Sequence, residues 1–304
     1  METLRIARHS WLMTHTQWIE TSKGPIEVTV SGPESAPPIL FVHGLLVSGS
    51  LWTSLASRLS STHRCWVPTL PLGSHRRAMR LDADLSPVGV ADLVIEIADR
   101  LGLDRLAIVA NDSGGAVSQL VAARYPERIA MLVLTNCDAL EVFPPRAYGY
   151  LKIVASQPWL AGAMLRAIAA LPWLGLAPLT WGSLSPRVTT SDVRGWVEHG
   201  ARDRGVRDDL AKFARVASSE VTMAAADALG KRPVPMALVW GDADPFFRRE
   251  LAERLVACVP GATLRFIRGA RTFAMLDAPD EVAAAVRTLL LEDHGSSNRP
   301  EIPS

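Results

Sequence analysis

Residues 106–119 read LAIVANDSGGAVSQ, and this stretch decides the fold. Its first five residues are apolar and predict a buried strand, and apolar residues recur at helical spacing after the two glycines. A strand can turn into a helix this abruptly only where small residues flank the apex, because bulk there would collide with neighbouring backbone. Ala110 lies two residues before Asp112, and Gly114 lies two residues after it. The turn is therefore predicted to present the carboxylate of Asp112 at the carboxyl end of the strand.

This strand, turn and helix resemble the nucleophile elbow of the α/β-hydrolase fold. The usual esterase elbow of that family has glycines at the second and third positions after the nucleophile, and counting back from Gly114-Gly115 reaches Asp112. An aspartate at that position resembles the epoxide hydrolase and haloalkane dehalogenase branches. Ser113 is the alternative nucleophile, and a turn without a catalytic role is the other interpretation.

Composition limits the classes of function. The chain has 304 residues, 48% of them hydrophobic and 21% charged, which predicts an ordinary globular core. Lysine and arginine number 32 against 31 acidic residues, so net charge gives no reason to expect nucleic acid or an anionic membrane as partner. Three widely spaced cysteines and an N-terminus without an apolar signal segment indicate the cytoplasm. We expect no cofactor and no metal.

Strand and helix patterns alternate along the chain except in one helical insertion, which predicts a mostly parallel sheet covered on both faces. With the resemblance, this implies an α/β-hydrolase fold of eight strands with an inserted helical cap. The core is predicted at residues 1–140 and 228–294, the cap at 141–227 and a disordered tail at 295–304. The apolar first half of the cap is expected to shield the site, and the charged second half to face solvent.

One apolar stretch of the cap, residues 159–181, contains a single charge, Arg166. Pro172 and Pro178 interrupt it, so two short helices over a pocket are expected rather than stable membrane insertion.

A second motif, His43-Gly44, follows a predicted buried strand at residues 38–42. Members of the family carry an HG pair at this place. The amide of Leu45, the residue after the pair, would form an oxyanion hole with the amide of Ser113. A plain strand-to-helix loop is the alternative interpretation.

The resemblance also implies an acid and a histidine. Asp244, which follows a buried strand, takes the position of the acid, and Asp138 is the alternative. The family's histidine lies five residues before an acidic-x-Pro unit, and five residues before Asp277 stands Thr272. An ester on Asp112 needs a deprotonated water for its hydrolysis, and threonine offers no base at neutral pH.

Other side chains are candidates for the missing roles. His43 and His75 are the nearest histidines by loop position, either as a base or in substrate binding. Tyr148 and Tyr150 lie where the cap begins, and the resemblance to epoxide hydrolases implies that one of them protonates an epoxide oxygen. The dehalogenases commonly carry a tryptophan directly after the nucleophile, where this chain has Ser113.

Three hypotheses follow. The first is a hydrolase that acts on a small apolar organic substrate through Asp112, with epoxide opening as the best single reaction. The second is a ligand-binding or receptor-like homologue that has kept the pocket and lost the histidine. The third is a lyase or isomerase with Asp112 as general base. A homodimer is compatible with each.

Overall fold

The computed structural model describes residues 14–296, and their side chains as far as residue 291. An eight-stranded sheet in the order β1-β2-β4-β3-β5-β6-β7-β8 forms its centre. The strands are β1 (His15–Thr21), β2 (Gly24–Ser31), β3 (Pro38–Val42), β4 (Arg64–Thr69), β5 (Leu106–Asp112), β6 (Ile129–Cys137), β7 (Met236–Gly241) and β8 (Thr263–Ile267). The predicted fold, an α/β-hydrolase fold with a mostly parallel sheet of eight strands, is confirmed.

The direction of the strands places the site. β2 runs antiparallel to both β1 and β4, and the remaining neighbours pair in parallel. The carboxyl ends of β3, β5, β6, β7 and β8 therefore meet at one edge of the sheet. In open α/β sheets ligands bind at this edge, so the loops that follow these strands are where a site is expected.

The described residues form twelve α-helices in addition to the sheet. They are α1 (Thr53–Leu59), α2 (Pro87–Arg100), α3 (Ser113–Arg124), α4 (Gly149–Ala155), α5 (Pro158–Ala170), α6 (Trp181–Leu184), α7 (Thr190–Arg202), α8 (Arg204–Val216), α9 (Ser219–Lys231), α10 (Arg249–Cys258), α11 (Ala274–Asp277) and α12 (Pro279–Ser296). One hydrophobic cluster packs α2, α3, α9 and α10 against one face. A second cluster packs α1, α11 and α12 against the other face and continues into α5, α7 and α8.

The stretch between β6 and β7 contains the helices α4 to α9 and no strand of the sheet, and it lies where the cap is predicted. Trp181 is buried there, as expected of a residue that covers a pocket. Trp159 and Trp173 are 71% and 59% exposed, so the expectation that this apolar half shields the site is wrong for these two side chains.

In the described part of the chain, no single helix is long and apolar enough to cross a membrane. Arg146–Ala155 and Pro158–Ala170 meet the length and composition criteria only as a pair, with a bend of 109° between them. The predicted disordered tail, residues 295–304, falls almost wholly outside the described residues, although α12 extends to Ser296.

Candidate active site

The turn between β5 and α3 holds Asp112 at its apex. Asp112 has φ 52° and ψ −135°, a conformation that L-residues rarely adopt, and Ser113 begins the helix. Such backbone costs on the order of 1–3 kcal/mol and persists only where its surroundings enforce it. A Cβ on Gly114 would lie 2.4 Å from the Val42 carbonyl oxygen, and a Cβ on Gly115 would lie 2.2 Å from the Cβ of Cys137. The two glycines therefore allow α3 to begin this close to the sheet.

The HG motif lies directly against this apex. A Cβ on Gly44 would approach Oδ2 of Asp112 to 2.1 Å, so only glycine leaves room for the carboxylate. The backbone N–H groups of Leu45 and Ser113 donate hydrogen bonds to the Asp112 carboxylate. These are the two amides that the sequence predicts for an oxyanion hole, and the structure brings them to one carboxyl group.

Burial dominates the electrostatics of Asp112. It raises the pKa of the carboxyl group from 3.8 to about 6, and the charge of Asp244 adds to the rise, while the amides of Ser113 and Leu45 oppose it. At pH 7 the carboxylate is therefore mainly ionised. A desolvated carboxylate that is still charged can act as a nucleophile or as a base.

Asp138 follows β6 and lies beside the apex. The hydroxyl of Ser113 donates to Oδ2 of Asp138 at 2.9 Å, while Oδ1 has no hydrogen-bond partner among the described residues. Asp138 is buried, and burial together with the charge of Asp112 raises the pKa of its carboxyl group well above the ordinary value. Both effects favour the protonated form of the Asp138 carboxyl group, next to a neighbour that is mainly ionised.

Asp244 follows β7 and is saturated with hydrogen bonds. Its Oδ2 accepts the hydroxyl of Thr272 at 2.8 Å and the amide of Asn136 at 2.9 Å. Its Oδ1 accepts the backbone N–H groups of Phe246 and Phe247 at 2.8 and 3.1 Å. Asp244 thus meets Thr272, as the acid and the residue at the histidine position do in the predicted pattern.

Two amide side chains complete this buried network. Asn136 donates to Asp244 and to the Gly241 carbonyl oxygen, and Asn111 donates to the backbone oxygen of Thr272 at 2.8 Å. Asn111 and Asn136 tie β5, β6, β7 and the Thr272 loop together. Neither residue belongs to the motifs that predict the site, although polar residues at the ends of apolar strands are a signal for such a network.

The two histidines lie elsewhere. His43 uses both ring nitrogens on backbone: Nδ1 donates to the Gly44 oxygen and Nε2 accepts the N–H of Leu70, each at 2.8 Å. Burial lowers its pKa to about 4. His75 pairs through Nε2 with Asp209 of α8 at 3.1 Å. Neither ring borders the cavity over Asp112, so the substrate-binding and base roles predicted for them do not match their positions.

A cavity of about 80 Å³ opens over the apex, between the sheet edge and the cap. Most of its wall is apolar, and six lining residues have acidic or hydroxyl side chains: Asp112, Ser113, Asp138, Tyr148, Tyr150 and Thr180. Asp244 and Thr272 do not border it. The described residues contain no cluster of histidine, cysteine or carboxylate side chains suited to a metal.

The two tyrosines differ in how their hydroxyls are used. Tyr148 is buried, and burial together with the charge of Asp112 raises its pKa, so its phenol stays protonated. Its hydroxyl makes only a long contact, 3.4 Å, to the Thr180 oxygen. The hydroxyl of Tyr150 donates to the Leu179 oxygen at 2.6 Å. Tyr148 is therefore the tyrosine with a proton to offer inside the cavity.

The strand order, the strained apex and the helical insertion define an α/β-hydrolase. The model of the alpha/beta hydrolase family matches residues 39–285, and the chain belongs to that family.

The relatives that are similar to this chain are named for different enzyme activities. Haloalkane dehalogenase 2 of Mycobacterium tuberculosis is 27% identical over 275 residues, which cover 89% of this chain and 93% of the relative. Carboxylesterase YbfK of Bacillus subtilis is 24% identical over 277 residues, 90% and 86% of the two chains. The crystal structure of haloalkane dehalogenase DbeA from Bradyrhizobium elkani has a TM-score of 0.76 at 17% identity, over 93% and 99% of the two chains. The last likeness concerns the fold alone.

Proposed function

We propose that this protein hydrolyses a small apolar substrate by nucleophilic attack of Asp112, and that ring opening of an epoxide is the reaction the site supports best. The observation that carries the proposal is the ionised carboxylate at a strained apex, which receives two backbone amides and faces an apolar cavity. The size of the cavity favours a compact substrate, and its wall favours an apolar one.

The first step forms an ester. One oxygen of Asp112 attacks an epoxide carbon, the C–O bond of the ring breaks, and the departing oxygen takes a proton. Tyr148 supports this step by donating a hydrogen bond from the cavity wall, and Asp138 supplies the proton. A departing halide would instead need hydrogen-bond donors. The position that carries a tryptophan in many dehalogenases holds Ser113, whose hydroxyl already donates to Asp138.

The second step breaks the ester, and Asp138 acts as its base. Once Asp112 is esterified it carries no charge, so the repulsion that adds to the effect of burial on Asp138 is gone, which favours the carboxylate of Asp138 after proton donation. The carboxylate takes a proton from a water that attacks Cγ of Asp112. A carboxyl group that acts first as acid and then as base is the arrangement of retaining glycosidases.

The proton count closes over one cycle. The tetrahedral oxyanion on Asp112 is held by the amides of Leu45 and Ser113. Its collapse releases the diol oxygen, which takes the hydroxyl proton of the new acid, and Asp112 returns as a carboxylate with one oxygen from water. Asp138 ends protonated, as it began, so no histidine is needed.

A binding protein without turnover is the second candidate. The observation that favours it is the closed pair of Thr272 and Asp244, in which the acid position has no link to a mobile proton carrier. In that case the cavity would hold a ligand and Asp138 would serve only to keep Ser113 in place.

Intact-protein mass spectrometry after incubation with small epoxides and haloalkanes separates the two candidates. We expect epoxide turnover that Asp112→Asn abolishes, with little turnover of haloalkanes. Ligand-induced thermal stabilisation without turnover or adduct would favour the binding protein. Turnover that survives Asp112→Asn would contradict the proposal.

A further inference from the structure

Charge is distributed unevenly along the chain in a way that the net charge hides. The first half of the cap, residues 142–191, contains four basic residues and no acidic residue. Three of the four are exposed, namely Arg146, Arg166 and Arg187, and none of these pairs with an acidic side chain among the described residues. This half of the cap therefore presents unneutralised positive charge.

The same half of the cap exposes large apolar side chains. We call them the cap apolar surface: Tyr150, Ile153, Trp159, Leu171, Trp173, Leu176 and Leu179, which are 38–71% exposed. On α5, the exposed positions Trp159, Ala163 and Arg166 follow helical spacing and so share one face. Exposed apolar residues in such number mark an interaction site rather than ordinary surface.

Two acidic groups that approach this region from the second half of the cap are paired with arginines of that half. Glu198 pairs with Arg202 at 2.6 Å, and Asp208 pairs with Arg204 at 3.6 Å. Arg166 remains beside them, close to Trp159. This half of the cap therefore exposes tryptophan and aliphatic side chains together with arginines that pair with no acidic side chain among the described residues.

The cap apolar surface is continuous with the cavity. Tyr150 and Leu179 belong to both, and the hydroxyl of Tyr150 donates to the Leu179 oxygen at 2.6 Å. A small apolar molecule that left a lipid phase at this surface would meet the cavity without crossing bulk water.

We infer that this half of the cap binds the surface of an anionic lipid bilayer, with the cap apolar surface in the interfacial region and the arginines at the headgroups. Tryptophan belongs at that depth, and basic side chains add attraction to anionic lipid. A second copy of the chain fits less well, because a two-fold contact through this surface would bring its arginines together. The inference goes beyond the proposed function and does not depend on the chemistry at Asp112.

Co-sedimentation with vesicles tests it, with phosphatidylcholine alone and with phosphatidylcholine mixed with phosphatidylglycerol. We expect binding to the mixed vesicles that weakens as salt rises. Replacing both Trp159 and Trp173 by Ser should lower partitioning by roughly tenfold or more. Arg166→Glu should lower it roughly thirtyfold, by about the effect of two charges at the surface.

Matched control variants change exposed residues outside the first half of the cap. Leu81 is 95% exposed and Arg268 is exposed, so Leu81→Ser and Arg268→Glu repeat the chemistry of the changes outside residues 142–191. Both should bind as the unmodified protein does. All of these positions are exposed, so we expect the substitutions to leave folding unaffected. The melting temperature of every variant is measured first to check this.

Three results would overturn the inference. One is an absence of binding to mixed vesicles, and another is binding that the tryptophan and control variants share equally. The third is light scattering that shows a dimer which the double tryptophan variant converts to a monomer, because the surface would then be an interface between copies.

Discussion

Two carboxyl groups flank Asp112 at the ends of neighbouring strands, and their oxygens are occupied differently. Asp244 accepts four hydrogen bonds from fixed donors and does not border the cavity. Asp138 accepts a hydrogen bond from Ser113, keeps Oδ1 without a partner among the described residues, and borders the cavity. A carboxyl group whose acceptors are all used holds loops together, whereas the buried Oδ1 of Asp138 has no such partner and is the oxygen that the proposed mechanism uses.

Of the changes that test this comparison, Asp138→Asn should have the largest effect on the rate of hydrolysis. The amide can neither give nor take the proton, and general acid–base help is worth about 10²–10⁴-fold. We expect diol formation to slow by about that factor, with an epoxide adduct accumulating on Asp112. Stopped assays followed by intact mass measure both quantities. Diol formation at the unmodified rate would remove Asp138 from the mechanism.

Asp244→Asn should act on stability instead. The new NH₂ group would face donors, and each buried group left unsatisfied costs about 1–3 kcal/mol. We expect the free energy of unfolding in urea to fall by about that amount, with diol formation by the folded protein within about threefold of the original. Thr272→Val is the matched control, because it removes only the hydroxyl donor and should cost about 1 kcal/mol. A loss of hydrolysis equal to that of Asp138→Asn would show that the two carboxyl groups are equally important for the reaction, which would contradict the comparison.

The charge of Asp112, which faces Asp244 and Asp138, should appear in the pH dependence of stability. Its pKa is about 6 in the folded protein against an ordinary 3.8, so the folded state binds the extra proton and loses stability as pH rises from about 4 to 6. Asp112→Asn removes this loss. We expect the variant to be more stable by about 3 kcal/mol at pH 7.5 and by little at pH 3.5. Thermal melts across that range measure the difference, and a constant difference at all pH values would contradict the assignment.

Ser113→Ala should have the smallest effect. It removes one hydrogen bond from Asp138, worth about 0.5–1.5 kcal/mol, but leaves the backbone amide on Asp112. We expect hydrolysis to slow by less than about tenfold. Loss of all activity in this variant would instead favour Ser113 as nucleophile.

Local patterns predicted the frame of the molecule well. The strand Pro38–Val42, for example, begins and ends where the sequence places it. Asp112 stands at the apex of the elbow because a strand, small residues and a helix are all encoded within 14 consecutive positions. Such features depend on neighbours in sequence, which a single chain displays directly.

Contacts between distant elements could not be predicted in the same way. The hydrogen bond from Ser113 to Asp138 joins residues 25 positions apart, and the contact of His75 with Asp209 joins residues 134 positions apart. The exposure of Trp159 and Trp173 depends on how the cap helices pack, because an apolar side chain that covers a pocket and one that faces outward have the same periodicity.

The central claim is that Asp112 becomes esterified, and one turnover in heavy-oxygen water tests it most directly. Excess enzyme is mixed with an epoxide that it turns over, and the diol and the peptide containing Asp112 are weighed. We expect the heavy oxygen to enter the carboxyl group of Asp112 and the diol to be unlabelled, because the diol takes its new oxygen from the enzyme. A labelled diol with an unlabelled peptide would show that water attacks the substrate directly and would contradict the account.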